Sequence, residues 1–377
     1  MKPAVWIRRL PWSIVAIAAG LLIVGCMGID RFELLSEGGG GFLRRQLVFA
    51  GLGLATLLVT SAANYRLLYR WSYALFALSL ILLAAVYFFP EKNGAHRWIP
   101  LGPVSLQPSE FAKVAFVLVL ARYLMYRHSH RRLLGLAAPL AIAFVPVMLI
   151  LREPDLGTAL VFVPVLFVML LAAGARRGDL AWVVVAGLLM LPLLWTQMSR
   201  EQKSRVTALL EQPAADARPS DDAYHLHQAK RMFALGGTWG SLVTGRTSDD
   251  PAVYRLPEAQ SDFIFCVLGE RFGLPGLAVV LGLYGILAWR GLVVAAATRE
   301  PFGRLAAAGI VGLFAVEVLI NTGMTVGLLP ITGLSLPLIS HGGSGLLAHS
   351  IALGLLVNIG LRPGYEVSNE PFRYVVE

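Results

Sequence analysis

Several ionisable residues in this 377-residue sequence sit where apolar residues surround them, and an ionisable group inside a membrane span marks a functional site by default. Glu110 and Lys113 stand three apart in Ser109-Glu110-Phe111-Ala112-Lys113, a spacing that places both on one helix face, where they can pair. Two readings are open. The pair is self-neutralising and structural, which the spacing alone favours, or the carboxylate takes a metal cation and the ammonium takes an anion such as a diphosphate. Asp262 heads an apolar run in Leu256-Pro257-Glu258-Ala259-Gln260-Ser261-Asp262-Phe263-Ile264-Phe265. Here Ser261 or Asp262 can cap a helix N-terminus, or the carboxylate can act as a base for a lipid-anchored substrate at the membrane surface. Glu270-Arg271, before Gly273-Leu274-Pro275-Gly276, reads as a hydrogen-bond anchor beside a helix break. Glu317 and Asn321, one turn apart, are expected to pair with other helices or to line a cavity.

Two glycine runs, Gly236-Gly237-Thr238-Trp239-Gly240 and Ser340-His341-Gly342-Gly343-Ser344-Gly345, admit two readings. They bring backbone N–H groups to phosphate oxygens, the second run with a helix N-terminus behind it, or they let helices pack closely. His128-x-His130 and His225-x-His227 offer two metal ligands each, which do not make a site. The first is read as part of a basic loop and the second as loop surface.

The elements that must position these residues are membrane helices. The chain is 56% hydrophobic and only 15% charged, against about 25% charged in soluble domains. This excludes an ordinary soluble enzyme, a disordered chain and a disulfide scaffold. Apolar runs begin near Trp12, Gln46, Trp71, Ser109, Leu134, Leu156, Leu180, Asp262, Arg304 and Gly342, so the expected fold is all-α, a single polytopic domain over 1–377 with about ten transmembrane helices. Alternation of the connecting segments puts 15 Lys+Arg on one side with only five carboxylates, and the positive-inside rule then makes both termini cytoplasmic. The net charge of +9 therefore reports topology and does not point to nucleic acid. One long connection, 199–261, faces outward with eight Lys+Arg and eight Asp+Glu, and a connection of that length is usually functional. Within it Tyr224 to Leu235 reads as an interfacial helix. Cys26 and Cys266 fall in or beside apolar runs, so no disulfide is expected.

Five blocks in order carry a resemblance. Gly94-Ala95-His96-Arg97-Trp98-Ile99 with Leu101-Gly102 leads to Gln107-Pro108-Ser109-Glu110-Phe111-Ala112-Lys113. Glu153-Pro154-Asp155-Leu156-Gly157-Thr158-Ala159 and Pro257 through Phe265 follow. The last runs from Asn321-Thr322-Gly323-Met324 through Gly327-Leu328-Leu329-Pro330 to Gly342-Gly343-Ser344. Together they resemble the SEDS family (shape, elongation, division and sporulation) over nearly the whole chain.

The resemblance implies a ten-helix peptidoglycan glycosyltransferase that polymerises lipid II at the outer face of the cytoplasmic membrane, working with a class B penicillin-binding protein. It puts the essential aspartate at Asp262, the Glu and Lys of its central block at Glu110 and Lys113, and its arginines at Arg97 and Arg45. On that basis Asp262 is the expected base. Lys113, Arg97, Arg45 and Ser344 are expected to bind substrate, and Glu110 to hold a divalent metal, Mg or Mn, with no organic cofactor. The chain departs from the family pattern at Gln260-Ser261, Glu317, Ser335, His341 and Gly345. Pro257-Glu258-Ala259 looks like the division branch, and Asn321-Thr322-Gly323-Met324 like the elongation branch. The competing expectations are a lipid II flippase, which intramembrane charges such as Glu317 and Glu270 would suit, and a scaffold that only activates its partner.

Overall fold

The computed structural model describes residues 10–36, 41–63, 65–91, 95–102, 104–127, 132–198, 200–211, 221–246, 254 and 256–364. His128, His130, Gly94 and several of the cations used for topology, among them Lys2, Arg8, Arg9, Arg131 and Arg373, lie outside the described residues.

Ten apolar helices answer the ten apolar runs in order: α1 (Trp12–Leu35), α2 (Phe42–Ala62), α3 (Tyr65–Ala85), α4 (Pro108–Leu124), α5 (Ala137–Arg152), α6 (Leu156–Ala172), α7 (Arg177–Gln197), α11 (Ile264–Ala297), α12 (Pro301–Thr325) and α13 (Gly343–Leu361). The stretch between α7 and α11 is not plain loop. Its described residues form α8 (Arg200–Glu211), α9 (Asp221–Gly236) and the single turn α10 (Ser241–Thr244). Seven of the helices are long and apolar enough to cross a membrane by length and composition. Helices α4 and α6, with 17 residues each, are shorter than the roughly 20 that a hydrocarbon core requires of an independent span.

Helix α4 forms the centre. It is apolar on every side, and a helix of that pattern belongs inside a bundle; most of its residues are buried, Glu110 and Lys113 among them. Helices α12 and α13 join it, each with 78% of its span buried, whereas α2 buries 17% and faces outward. Small residues make this density possible. A Cβ at Gly354 of α13 would stand 2.6 Å from the Leu57 carbonyl oxygen of α2, so only glycine lets these two backbones meet.

Helix α11 is broken where the sequence predicts it. Gly273 takes φ 62° and ψ −160°, and Pro275 follows. The segment after α9 fills the break: Leu274 N–H donates to Thr238 O at 3.0 Å, and a Cβ at Gly240 would lie 2.4 Å from Arg271 O. Helix α9 itself covers the predicted Tyr224–Leu235 and buries Leu226, Ala229 and Met232, spaced by three along one face.

One element was not foreseen. Strands β1 (Ile99–Leu101) and β2 (Val104–Leu106) form an antiparallel hairpin with Ile99 opposite Leu106. It leads directly into α4 and holds Arg97 at its base.

Candidate active site

Asp262 lies in a tight turn just before α11. The cap residue is Phe263 and no side chain bonds the helix end, so neither Ser261 nor Asp262 acts as the expected cap. Glu258, with φ 52°, starts the turn, and its carbonyl gathers the N–H groups of Ser261, Asp262 and Phe263 at 3.1, 2.9 and 3.4 Å. The Ser261 hydroxyl bonds back to Glu258 Oε2 at 3.0 Å. Burial first, and then the Glu258 carboxylate, hold the Asp262 carboxyl up to about 7; Asp155 adds to this, while Ser261 and Arg205 oppose it. Among the described residues Asp262 has no salt bridge. The side chain rests against the exposed Gly333, where a Cβ would lie 3.4 Å from Asp262 Oδ2.

A second turn, 153–155, approaches from the start of α6. Asp155 caps that helix, accepting from Thr158 N–H at 3.1 Å and from its hydroxyl at 2.9 Å. Glu153 is fully buried with neither carboxylate oxygen bonded among the described residues, and burial followed by the Asp155 charge pushes its carboxyl up to about 8. Arg97 does not pair with either carboxylate. It donates to the carbonyls of Glu153 at 3.1 Å and Pro154 at 2.5 Å, which fixes the turn and leaves its charge close enough to Glu153 to oppose the upward shift.

Arg45 approaches from the other side. It is exposed near the start of α2, a start capped by Glu33, which accepts from Gly41 and Leu43 N–H at 2.8 and 3.0 Å. Its neighbour is His341, whose ring lies edge-on to Phe42 and whose Nδ1 meets Gln46 Oε1 at 3.1 Å. Burial and then the Arg45 charge lower the His341 pKa. His341 N–H in turn donates to Gln260 O at 2.8 Å, two residues before Asp262. Arg97 thus holds the 153–154 turn and Arg45 lies beside His341, while the cation that acts on the Asp262 carboxylate is Arg205.

Lys113, Glu110 and Ser344 are placed differently from the expectation. Glu110 and Lys113 are buried, 5% and 3% exposed. Lys113 Nζ donates to Glu110 Oε1 at 2.9 Å and also to Glu317 of α12, whose other oxygen meets His349 Nε2 at 2.6 Å. Two carboxylates, not a diphosphate site, thus surround the Lys113 ammonium, as the self-neutralising reading of its pair with Glu110 expected. The Ser344 hydroxyl is likewise committed to the hairpin, accepting from Gln107 N–H at 3.1 Å and donating to Ser105 O at 2.9 Å. Glu317 pairs with other helices as foreseen. Glu270 anchors as expected, but its partner is Arg31 of α1, at 2.6 and 2.9 Å, and not the adjacent Arg271.

Ligand atoms of Glu110, Glu317 and His349 lie within 4.8 Å of one another, a donor set that a divalent cation could use. The Lys113 ammonium, however, is bonded to both carboxylates and supplies the positive charge there. The cluster as built does not fit a resident metal on Glu110.

Close packing is what the first glycine run does, since Gly236 and Gly240 abut the α11 backbone at Gly269 and Arg271. The second run is mixed. A Cβ at Gly343 would meet the Phe49 ring at 2.8 Å, whereas Gly342 faces open space. The His225 reading needs correction. It is not loop surface but half-buried, stacked on Phe263 with centroids 6.0 Å apart and planes 7° from parallel, beside Asp262 in the chain. Its only sequence signal was its place in the amphipathic α9 pattern.

Among the described residues, ten apolar helices surround a neutralised charge cluster, and the Asp262 carboxylate stands without a salt bridge in a turn at one helix end, an arrangement that defines a polytopic membrane protein. The chain belongs to the FtsW/RodA/SpoVE family: the family model described as "Cell cycle protein" matches residues 8–362. It is 37% identical over 329 residues to a probable peptidoglycan glycosyltransferase FtsW of Trichlorobacter lovleyi, covering 85% of this chain and 84% of that protein. It is 36% identical over 323 residues to the peptidoglycan glycosyltransferase MrdB of Escherichia coli K12, covering 85% of each. Stage V sporulation protein E of Bacillus subtilis is 35% identical, with 84% and 86% covered. Among solved structures, a chain of a peptidoglycan synthase complex that coordinates polymerization and crosslinking superposes with a TM-score of 0.81 at 31% identity, covering 94% of this chain and 98% of that one. The rod shape determining protein RodA of Thermus thermophilus superposes at 0.70 and 29% identity, again covering 94% and 98%.

Proposed function

We propose that this chain is a peptidoglycan glycosyltransferase that joins lipid II into β-1,4-linked glycan strands, with Asp262 as the base. The observation that carries the reading is the Asp262 turn: a carboxylate with no salt bridge among the described residues, held up to about 7. A general base works best when its pKa lies near the operating pH.

In the reaction a sugar 4-hydroxyl attacks the anomeric carbon that carries a lipid diphosphate. Asp262 takes the hydroxyl proton, the new C–O bond forms from the face opposite the diphosphate, and the diphosphate leaves with the bonding electrons. The α-linkage of the donor becomes a β-link. A diphosphate needs no proton to leave, provided cations neutralise its charge, so one carboxylate suffices where glycosidases usually use two. Arg45 and Arg97 serve as those cations. Lys113 instead keeps the two acidic side chains of the core neutralised. A divalent cation, where the reaction uses one, travels on the diphosphate and is not held by Glu110.

An all-apolar cavity of about 520 Å³ between α5, α6 and α7, lined by residues such as Phe144, Val147, Phe167 and Leu188, suits a polyprenyl tail. We place both termini in the cytoplasm, with 199–261 and Asp262 on the outer side of the cytoplasmic (inner) membrane. The partner is a class B penicillin-binding protein that crosslinks the product. The cellular role is elongation, as in RodA, or division, as in FtsW, two branches that share this chemistry.

The flippase reading loses its motive, because Glu317 and Glu270 are paired with Lys113, His349 and Arg31. The experiment is to incubate the purified protein and its partner with lipid II in detergent, where there is no membrane to flip across. Glycan polymer on a gel supports the enzyme. Absence of polymer, together with lipid II movement across reconstituted vesicles, overturns it.

A further inference from the structure

Three consecutive backbone carbonyls in the Asp262 turn are each taken by a different donor from the far end of the chain. Gln260 O accepts from His341 N–H at 2.8 Å, Ser261 O accepts from the Ser340 hydroxyl, and Asp262 O accepts from Asn321 Nδ2 at 2.8 Å. The Asn321 amide does more than close one bond. The same nitrogen donates to Leu334 O at 2.6 Å, so it ties the Asp262 backbone to the Gly333–Leu334 turn on which the Asp262 carboxylate rests. Two carbonyl oxygens around one amide atom identify that atom as the nitrogen. The Ser340 hydroxyl is doubly used as well, accepting from Leu336 N–H at 2.7 Å.

Asn321 is fully buried on α12, and its Oδ1 has no hydrogen-bond partner among the described residues. A buried unpaired acceptor is a cost to stability. The residue is poorly suited to be a mere packing element and well suited to hold two backbone segments at a fixed separation.

We propose that Asn321, assisted by Ser340, is a positioning residue for Asp262: its two hydrogen bonds lock the turn carrying the base against the 333–334 turn. The proposal rests on the reading of Asp262 as the base. Neither side chain touches substrate. Each acts by keeping the carboxylate in the half-buried position where Glu258 of its own turn, Asp155 at the start of α6 and Arg205 of α8 act on it. Release of the turn lets water reach the carboxylate, which then titrates closer to an ordinary aspartate.

The test uses the full-length chain with its partner and lipid II, comparing wild type with Asn321→Leu, Asn321→Gln, Ser340→Ala and Asp262→Ala. Steady-state rates are taken from pH 5.5 to 8.5, with a thermal melt of each protein. For Asn321→Leu the expected result is a kcat lower by about 30- to 100-fold, since a displacement near 1 Å can cost that much. Its KM for lipid II should stay near wild type, and the acid limb of its rate profile should move down by about one pH unit. Asn321→Gln, which keeps the amide, should recover part of the rate, and Ser340→Ala should show the same changes to a smaller degree. A wild-type kcat and acid limb in Asn321→Leu overturn the proposal, as does a loss confined to KM. If Asn321→Leu does not fold, Ser340→Ala decides, and an unchanged kcat there overturns it. Activity in Asp262→Ala instead removes the base assignment itself, whatever the other variants do.

Discussion

Two groups of ionisable side chains lie on either side of the 333–335 segment and are treated in opposite ways. On one side, Glu110, Lys113, Glu317 and His349 sit in the core, with an ammonium between two carboxylates and a histidine on the outer oxygen. On the other, Asp262 stands in a turn with Glu258 and Asp155 nearby and no salt bridge among the described residues. A Cβ at Gly333 would lie 3.4 Å from Asp262 Oδ2, and one at Gly345 would lie 3.3 Å from Glu110 Oε2 and 3.6 Å from Ser335 Oγ. Buried charge that is paired is scaffold, and removing one member leaves the other uncompensated. Buried charge without a salt bridge has a shifted pKa and is available for proton transfer. In this protein the residues with the most eye-catching charges pair with one another across helices, and the quieter aspartate is the one the proposed mechanism uses.

The contrast can be broken first at its catalytic side. Asp262→Ala should lower polymerisation by about a thousandfold, within the range for loss of a general base, while its melting temperature holds or rises because a buried carboxylate is gone. Melting that collapses together with activity would make Asp262 structural. On the scaffold side, Lys113→Met should strand two buried carboxylates and destabilise the protein by about 3–5 kcal/mol, read as a lower melting temperature in detergent. Adding Glu317→Gln to that variant should restore part of the loss. An unaltered melt in Lys113→Met would free the lysine for the diphosphate role that the family resemblance implies.

A smaller effect sharpens the cation assignment. Arg45→Ala removes an exposed side chain, so the melt should not change, while KM for lipid II should rise roughly tenfold, the pattern of lost uniform binding. A change in kcat alone would contradict a binding role. The smallest effect concerns Glu153. In the folded chain it keeps its proton up to about 8, whereas in the unfolded chain it loses it near the usual carboxylate range. Between those limits the folded state binds more protons, so wild-type stability should fall as pH rises and level off above about 8. Glu153→Gln should flatten that slope in melts taken from pH 5 to 8.5.

Much of this was legible from residues alone. Apolar runs gave the ten helices because each must satisfy its own backbone in lipid. Gly273 and Pro275 marked the break in α11, and the Tyr224–Leu235 pattern marked α9. The ordered blocks led to Asp262, Arg97 and Arg45. What the sequence did not reveal was pairing across the fold. Glu270 has an arginine next to it in the chain and bonds one 239 residues away, and Lys113 bonds a glutamate 204 residues away as well as its neighbour. Helix periodicity says which face a charge is on, but only tertiary packing decides what that face meets. The 99–106 hairpin was missed because three-residue strands carry too little pattern to separate from loop. His225 was misread because a histidine on a polar amphipathic helix looks the same whether or not an aromatic ring waits beneath it.

In the proposed mechanism a carboxylate with a burial-raised pKa takes the proton from the attacking sugar. The pH dependence of lipid II polymerisation by the purified protein with its partner tests it most directly. The rate should climb about tenfold per pH unit below an inflection near 7 and flatten above it, because only the ionised Asp262 can accept the proton. A rate that is level from pH 5.5 to 8.5, or one that inflects near the value of an ordinary aspartate, would contradict it.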